Sequence, residues 1–142
     1  MRNLVPIITG DPNSINSEII AKAWKKRSLF RSTDIFLIGN YNLIKKQIKS
    51  IGIKIKINKI KVLNNQNFKK KLFIYDVPLK FKNIFDVSSI EKSKYILKCF
   101  KIAIQLQRKR LVTGLINCPI NKKETFGENF TGITEFIAKK EG

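Results

Sequence analysis

The chain has 142 residues, with 29 Lys or Arg against 10 Asp or Glu, and it contains no His. This length fits one domain with a real hydrophobic core, and 43% hydrophobic residues with ten Phe exclude an intrinsically disordered chain. The lack of His excludes a His-bound zinc, a Ser-His-Asp triad and an imidazole base within these residues. We therefore expect a single domain over residues 1–142.

A net charge of +19 is typical of nucleic-acid-binding proteins. The excess here comes from 24 Lys spread along the whole chain, with only 5 Arg. Arg is the residue whose planar fork reads bases and phosphates, and Lys, Ile and Asn all share AT-rich codons. We therefore attribute much of the charge to biased base composition, do not expect nucleic acid as the partner, and expect the remaining field to favour phosphorylated substrates.

Signals for secretion, membrane insertion and disulfide bonding are missing from the sequence. The N-terminal apolar run ends at Gly10-Asp11-Pro12, too early for a signal peptide, and no run is long enough to span a bilayer. Cys99 and Cys118 are too few and too far apart for a zinc site or a disulfide framework. We expect two buried thiols in a cytoplasmic protein that does not contact a membrane.

The first half of the chain predicts two strand–helix units. Leu4–Thr9 is a continuous apolar run stopped by Gly-Asp-Pro, which indicates a buried strand, and an amphipathic helix ending near Lys26 follows it. Asp34–Gly39 indicates a second buried strand, and Asn40 is the expected cap of a helix that ends near Ser50. The apolar positions of the first helix are Ile15, Ile19, Ile20, Ala23 and Trp24, and its candidate N-caps are Asn13, Ser14, Asn16 and Ser17.

The second half continues the same alternation of strand and helix. Ile alternates with Lys or Asn over Ile53–Asn58, which predicts a half-exposed strand at or near a sheet edge. The Lys side chains there would disfavour pairing with a strand of another molecule. The remaining predicted elements are a short strand at Leu72–Tyr75, a loop at Val77–Asp86, a long helix at Ser88–Arg108 and a strand at Leu111–Gly114, which Asn117-Cys118-Pro119 ends. Together these elements predict an α/β fold with a layered, largely parallel sheet flanked by helices.

Two strand-to-loop junctions carry the candidate binding residues. In the first, Gly10 permits a sharp turn and Asp11 precedes a helix N-terminus, which is a potential anion site. In the second, Asn121 and Lys122 lie in a loop, and Thr134 further on offers a hydroxyl that caps a helix or binds a ligand. Ligands in open α/β sheets bind beyond the carboxyl ends of strands. Taken singly, each junction is equally compatible with a capped turn on a solvated surface.

The same two junctions carry a family resemblance. The opening Ile8-Thr9-Gly10-Asp11-Pro12, followed by Ile15 and by Glu18-Ile19-Ile20-Ala21-Lys22-Ala23, is similar to the family pattern Gly-Asp-Pro-x-Gly-Ile-x-Pro-Glu. The second match is Pro119-Ile120-Asn121-Lys122 with Gly132-x-Thr134-Glu135-Phe136. In both stretches the chain resembles the N-terminal half of the 4-hydroxythreonine-4-phosphate dehydrogenase family of pyridoxal phosphate biosynthesis. The resemblance extends from about Leu4 to Lys140 and is loose between about Asn42 and Phe100.

This resemblance implies a fold, a reaction and cofactors. The fold is that of isocitrate and isopropylmalate dehydrogenases, and the assembly is a homodimer. The reaction is the NAD-dependent oxidation of the secondary alcohol of 4-phosphohydroxy-L-threonine, followed by loss of carbon dioxide. A divalent metal, Zn, Mg or Co, polarises the alcohol oxygen so that hydride leaves to the nicotinamide.

The resemblance also implies roles for single residues. Thr134 matches a family Thr that contacts substrate, and Ile133 stands where the family has a substrate-binding His. Ser14 and Ser17 replace the Gly and Pro of the opening motif, which the chain tolerates if the backbone keeps negative φ there. The metal-binding His residues and most NAD contacts belong to the family's second half, so no catalytic residue is expected in this chain and its NAD-binding residues stay unassigned.

We therefore expect a truncated dehydrogenase that is inactive without the missing half. Two alternatives remain open at this point. The first is a basic nucleic-acid-associated protein, and the second is a noncatalytic remnant or partner domain in which Ile133 records relaxed function.

Overall fold

A computed structural model describes residues 2–127, 135–136 and 138–139. Within this part of the chain, five strands form one sheet in the order β3-β4-β2-β1-β5, and every neighbouring pair is parallel. The strands are β1 Leu4–Ile8, β2 Asp34–Gly39, β3 Ile57–Ile60, β4 Leu72–Asp76 and β5 Ile116–Asn117. The prediction of a largely parallel sheet is confirmed.

Helices cover both faces of this sheet. They are α1 Asn16–Lys25, α2 Tyr41–Ser50, α3 Ser89–Arg108 and α4 Lys122–Phe126, with a short 3-10 helix at Arg27–Phe30. One core cluster joins α3 to one face of β1 and β2, and a second joins α1 and α2 to the opposite face. All six residues of β2 are consequently buried, as expected for a central parallel strand that is covered on both sides. None of the helices in the described residues is both long and apolar enough to cross a membrane.

Local capping signals identify where α2 and α3 start. The Asn40 side chain accepts a hydrogen bond from the Leu43 N–H at 2.9 Å, so the predicted cap of α2 is confirmed. Ser88 caps α3 in the same way, through the Glu91 N–H at 3.4 Å. The expected side-chain cap of α1 is wrong, because α1 begins after Ile15 without a capping side chain.

The buried face of α1 also differs from the prediction. Ile20 and Trp24 lie in the core as expected, whereas Ile15 and Ile19 are 66% and 47% exposed. Ala23 is exposed too, and the inner face is completed instead by Asn16, Ser17 and Ala21. Asn16 lies inward because its amide binds the Pro119 carbonyl at the end of the sheet. Neither Ser14 nor Ser17 has positive φ, so the condition for Ser at these positions is met.

The two edge strands are shifted relative to their predicted positions. β3 begins at Ile57 rather than Ile53, but its place at a sheet edge is confirmed. The strand predicted at Leu111–Gly114 is wrong, because that segment leaves the end of α3 with the Leu111 N–H bound to the Leu106 carbonyl at 3.0 Å. The strand forms instead at Ile116–Asn117, where the chain runs beside β1.

The cysteines fulfil the expectation drawn from their number and spacing. Cys99 and Cys118 are both free thiols, and both are buried. Burial raises the pKa of Cys118 to about 11, and it raises the pKa of Cys99 still further. Both groups are therefore neutral thiols near neutral pH and behave as small apolar side chains.

Candidate functional site

The two loops singled out from the sequence meet at the carboxyl edge of the sheet. β1 leads directly into Gly10 and Asp11, and neighbouring β5 leads into Cys118 and Pro119. The Asp11 N–H donates to the Pro119 carbonyl at 3.2 Å, and the Asn16 side-chain amide donates to the same oxygen at 2.8 Å. Segments more than 100 residues apart are thus joined by direct hydrogen bonds.

Gly10 is the residue that makes this close approach possible. Its φ is +75°, a conformation that residues with a Cβ rarely adopt. A Cβ placed on it would lie 2.7 Å from the Pro119 carbonyl oxygen, 2.8 Å from that of Cys118 and 2.6 Å from the Asn16 amide nitrogen. Both the turn and the contact between the loops therefore require glycine.

Asp11 is held in place by an ion cluster that the sequence did not reveal. One of its carboxylate oxygens accepts a hydrogen bond from the Asn13 N–H at 2.9 Å, and the other lies 3.5 Å from the Lys92 ammonium. Lys92 also forms an ion pair with Glu124, the third residue of α4. This Lys92 cluster joins the first loop to α3 and α4.

Lys92 is only 7% exposed, which is unusual for a lysine. Burial by itself lowers the pKa of Lys92, but the hydrogen bond to Glu124 and the attraction of Asp11 outweigh it and raise the pKa above 10.5. The ammonium is therefore fully charged at neutral pH. The sequence did contain a signal that Lys92 is buried, although not one for its ion-pair partners. Lys92 precedes Tyr95 by three residues and Ile96 by four, so all three lie on the buried side of α3.

A second buried network fixes the ends of β1 and β2 beside this cluster. The Tyr95 hydroxyl accepts a hydrogen bond from the Asn40 N–H at 2.8 Å and pairs with the Thr9 hydroxyl at 3.0 Å. Burial raises the pKa of Tyr95 well above 10, so the phenol stays neutral. A Cβ on Gly39 would lie 2.9 Å from the same hydroxyl, so the two strand ends and α3 are closely packed.

The first loop is also braced from its other side. The Asn13 side chain both donates to the Val87 carbonyl at 2.9 Å and accepts from the Val87 N–H at 2.8 Å. The Gln47 amide, which is fully buried, donates to the Pro12 carbonyl at 2.7 Å. The loop is therefore a rigid part of the edge, as ligand-binding loops on a preorganised scaffold must be.

The other predicted site residues have different positions. Asn121 caps α4 by accepting from the Glu124 N–H at 3.3 Å, and Lys122 is the first residue of that helix. The expectation that Lys122 lies in a loop is therefore wrong, although its side chain is exposed as the solvated-surface interpretation requires. Thr134 and Ile133 lie outside the described residues.

The carboxylates at this edge do not fit a metal ion. Asp11 and Glu124 are already paired with the Lys92 ammonium between them, and the Cys118 thiol is protonated at neutral pH. Within the described part of the chain, no three His, Cys, Asp or Glu side chains are grouped as metal ligands. The arrangement instead provides a rigid polar floor at the N-terminus of α1, where the helix dipole favours an anion.

Comparison with known proteins identifies the family. The family model of the pyridoxal phosphate biosynthetic protein PdxA matches residues 31–142. The chain belongs to the PdxA family. The resemblance drawn from the two motifs is therefore confirmed.

Curated PdxA relatives extend this match over nearly the whole chain. The 4-hydroxythreonine-4-phosphate dehydrogenase of Caulobacter vibrioides is 30% identical over an alignment of 138 positions, which covers 94% of this chain and 40% of that protein. The enzyme of the same name from a Sulfurihydrogenibium species is 28% identical over an alignment of 141 positions, which covers 96% of this chain and 42% of that protein. The chain thus spans about two fifths of the length of these relatives.

Solved structures show the same fold. The 4-hydroxythreonine-4-phosphate dehydrogenase of Burkholderia phymatum superimposes with a TM-score of 0.84 at 19% identity, over 98% of this chain and 43% of that one. The Klebsiella pneumoniae enzyme of that name superimposes with a TM-score of 0.79 at 20% identity, over 96% of this chain and 44% of that one. The PdxA chain described here therefore has the fold of the corresponding part of these enzymes.

Proposed function

We propose that this PdxA chain supplies the N-terminal part of an NAD- and divalent-metal-dependent dehydrogenase, which oxidises 4-phosphohydroxy-L-threonine in pyridoxal phosphate biosynthesis. The observation that carries the proposal is the direct contact between the two motif loops at Pro119, at the edge where α/β sheets bind ligands. The relatives that share both family and fold are named for this activity.

The chain's own contribution is to shape and rigidify one wall of the substrate site. Gly10 and the Lys92 cluster fix the first loop, and Asn121 positions the start of α4, from which the chain continues toward Thr134. We assign the substrate contact to the Thr134 hydroxyl. Ile133 cannot donate a hydrogen bond to a phosphate or carboxylate, so that contact is either lost or made by another residue.

The metal ligands and most of the NAD contacts lie outside the described residues under this proposal. The Lys92 ammonium occupies the position between carboxylates that a metal ion would need. We further propose that the active form is a cytoplasmic homodimer containing a second half, with Zn, Mg or Co as the metal, and that this chain alone has no activity.

A chimera tests the proposal directly. Residues 1–142 replace the matching segment of the Caulobacter vibrioides relative, and NADH formation is measured with NAD, divalent metal and 4-phosphohydroxy-L-threonine. We expect the chimera to form NADH and the isolated chain to form none. NADH formation by the isolated chain would refute the claim that the chain alone is inactive. A chimera that folds but forms no NADH, beside an active parent enzyme, would refute the dehydrogenase assignment.

Substitution at Ile133 separates an enzyme from a noncatalytic remnant. Ile133→His in the chimera restores a hydrogen-bond donor at the position where the family has its His. A dehydrogenase should respond with a lower KM for the phosphorylated substrate and an unchanged KM for NAD. A noncatalytic remnant predicts instead that the substitution leaves the binding affinity for the phosphorylated substrate unchanged.

A further inference from the structure

The amino edge of the sheet carries a basic groove that the proposed dehydrogenase site does not use. It is a depression of about 320 Å³ between the end of α1, the segment that enters β3 and the turn that enters β4. We call it the amino-edge groove. Six of the ten residues that line it are cationic, namely Lys25, Arg27, Lys54, Lys56, Lys70 and Lys71.

Within the described part of the chain, no acidic residue lines the amino-edge groove, so none of these lining residues offsets its positive charge. The ion pairs found within residues 2–127 involve other cations, such as Arg2, Lys22 and Lys59. Arg27 is fixed by its contact with the Trp24 ring, at 5.0 Å from its centroid, and by a hydrogen bond to the Trp24 carbonyl at 3.3 Å. Like charges gathered in one depression repel each other, and a bound anion would reduce this repulsion.

A second depression of about 530 Å³ continues this surface. It shares Trp24, Lys25 and Arg27 with the amino-edge groove and adds Arg31 and Lys69. Among the described residues that line this depression, Asp34 is the one carboxylate. It is 7% exposed and already pairs with Arg2, which lies outside the lining, at 2.6 Å. The positive surface is therefore continuous and longer than a single phosphate group.

We propose that the amino-edge groove binds a short chain of linked phosphates, such as inorganic tripolyphosphate or the triphosphate tail of a nucleotide. Lys side chains suit this ligand because each is a flexible point charge that needs no bidentate geometry. A volume of about 320 Å³ lies within the range of small-ligand sites. Among the described residues that line the amino-edge groove, Trp24 is the only aromatic, and at 6% exposure it offers no free face on which a base could stack. Recognition therefore depends on the phosphates alone.

Two charge-matched variants test the location. The groove variant carries Lys54→Gln, Lys56→Gln, Lys70→Gln and Lys71→Gln. The control variant carries Gln in place of four other exposed lysines, Lys80, Lys82, Lys94 and Lys101, which lie outside the groove lining. Both variants lower the net charge of +19 by four, so they differ only in where charge is lost.

Calorimetric titration at near-physiological salt gives the affinities for tripolyphosphate, ATP, AMP and orthophosphate. We expect tripolyphosphate and ATP to bind with equal affinity, and AMP and orthophosphate to bind far more weakly. The groove variant should lose about tenfold or more in affinity, because it removes four cation–phosphate pairs, while the control variant changes little.

Equal losses in the two variants would overturn the proposal, because binding would then follow net charge alone. It would also be overturned if ATP bound and tripolyphosphate did not, or if a nucleic-acid strand displaced tripolyphosphate and bound more tightly through the same lysines. Circular dichroism checks that both variants fold, and the four Lys→Arg replacements should retain binding. In the wild type, tripolyphosphate should slow hydrogen exchange at residues 54–56 and 70–71, and protection confined to other segments would contradict the site.

Discussion

Replacing Gly10 by alanine tests how the two motif loops are joined. The substitution forces a Cβ onto a residue with φ of +75°, which costs about 1–2 kcal/mol for an L-residue. The new carbon would also lie 2.7 and 2.8 Å from the carbonyl oxygens of Pro119 and Cys118. These main-chain atoms must move by about 0.6–0.7 Å to reach ordinary contact at 3.4 Å.

That movement weakens the two hydrogen bonds that Pro119 accepts, from the Asp11 N–H and from the Asn16 amide. Each of these hydrogen bonds contributes about 1 kcal/mol, so together with the backbone cost the expected loss of unfolding free energy is about 3–4 kcal/mol. This is a large part of the roughly 5–15 kcal/mol by which a domain is stable. We therefore expect a marked drop in the urea midpoint of Gly10→Ala, measured by circular dichroism.

Gly52→Ala is the matched control. Gly52 has φ of +74°, but a Cβ on it would have no neighbour within 4 Å. Gly52→Ala should therefore lower the free energy of unfolding only by the cost of the positive φ, about 1–2 kcal/mol. If the two variants lose the same stability within error, the close contact at Gly10 has no energetic weight and the reasoning is wrong.

Four other expectations follow from buried groups of the chain. Lys92→Met should lower the free energy of unfolding in urea by about 2 kcal/mol, because it leaves two carboxylates without their cation. The control Lys22→Met, at an exposed ion pair, should lower it by less than about 0.5 kcal/mol. Equal losses in the two variants would contradict a stabilising role of the Lys92 cluster. Because the folded-state pKa of Lys92 lies above 10.5, the stability that Lys92 contributes is complete below pH 10.5 and is lost as the pH rises through the folded-state pKa. The difference in unfolding free energy between wild type and Lys92→Met should therefore narrow at alkaline pH. Tyr95→Phe should cost about 1–3 kcal/mol because a buried backbone N–H at the start of α2 loses its acceptor, and a loss near zero would mean that this N–H finds another partner. Cys99 and Cys118 should react with a thiol reagent near neutral pH only after unfolding, and rapid labelling of the native chain would show that they are accessible.

The sequence determined the elements whose signals are local. The buried strands at Leu4–Ile8 and Asp34–Gly39, the Asn40 cap and the long helix at Ser89–Arg108 all match their predictions closely. Each depends on a continuous apolar run, a capping side chain or a helical period within one segment. The alternation of strand and helix was also sufficient to predict the parallel sheet, and the two motifs were sufficient to indicate the family.

Tertiary structure decided what depends on contacts between distant segments. Ile116–Asn117 becomes a strand only because Ile7 and Ile8 lie beside it, since two residues hold no periodic signal of their own. The neighbours of Lys92 likewise come from the first loop and from α4, and local sequence cannot specify them. The amino-edge groove gathers lysines from three separate segments that the sequence shows only as a scattered excess of charge. A hydrogen bond or an ion pair depends on distance in space, and the chain sets that distance only when the whole sheet has formed.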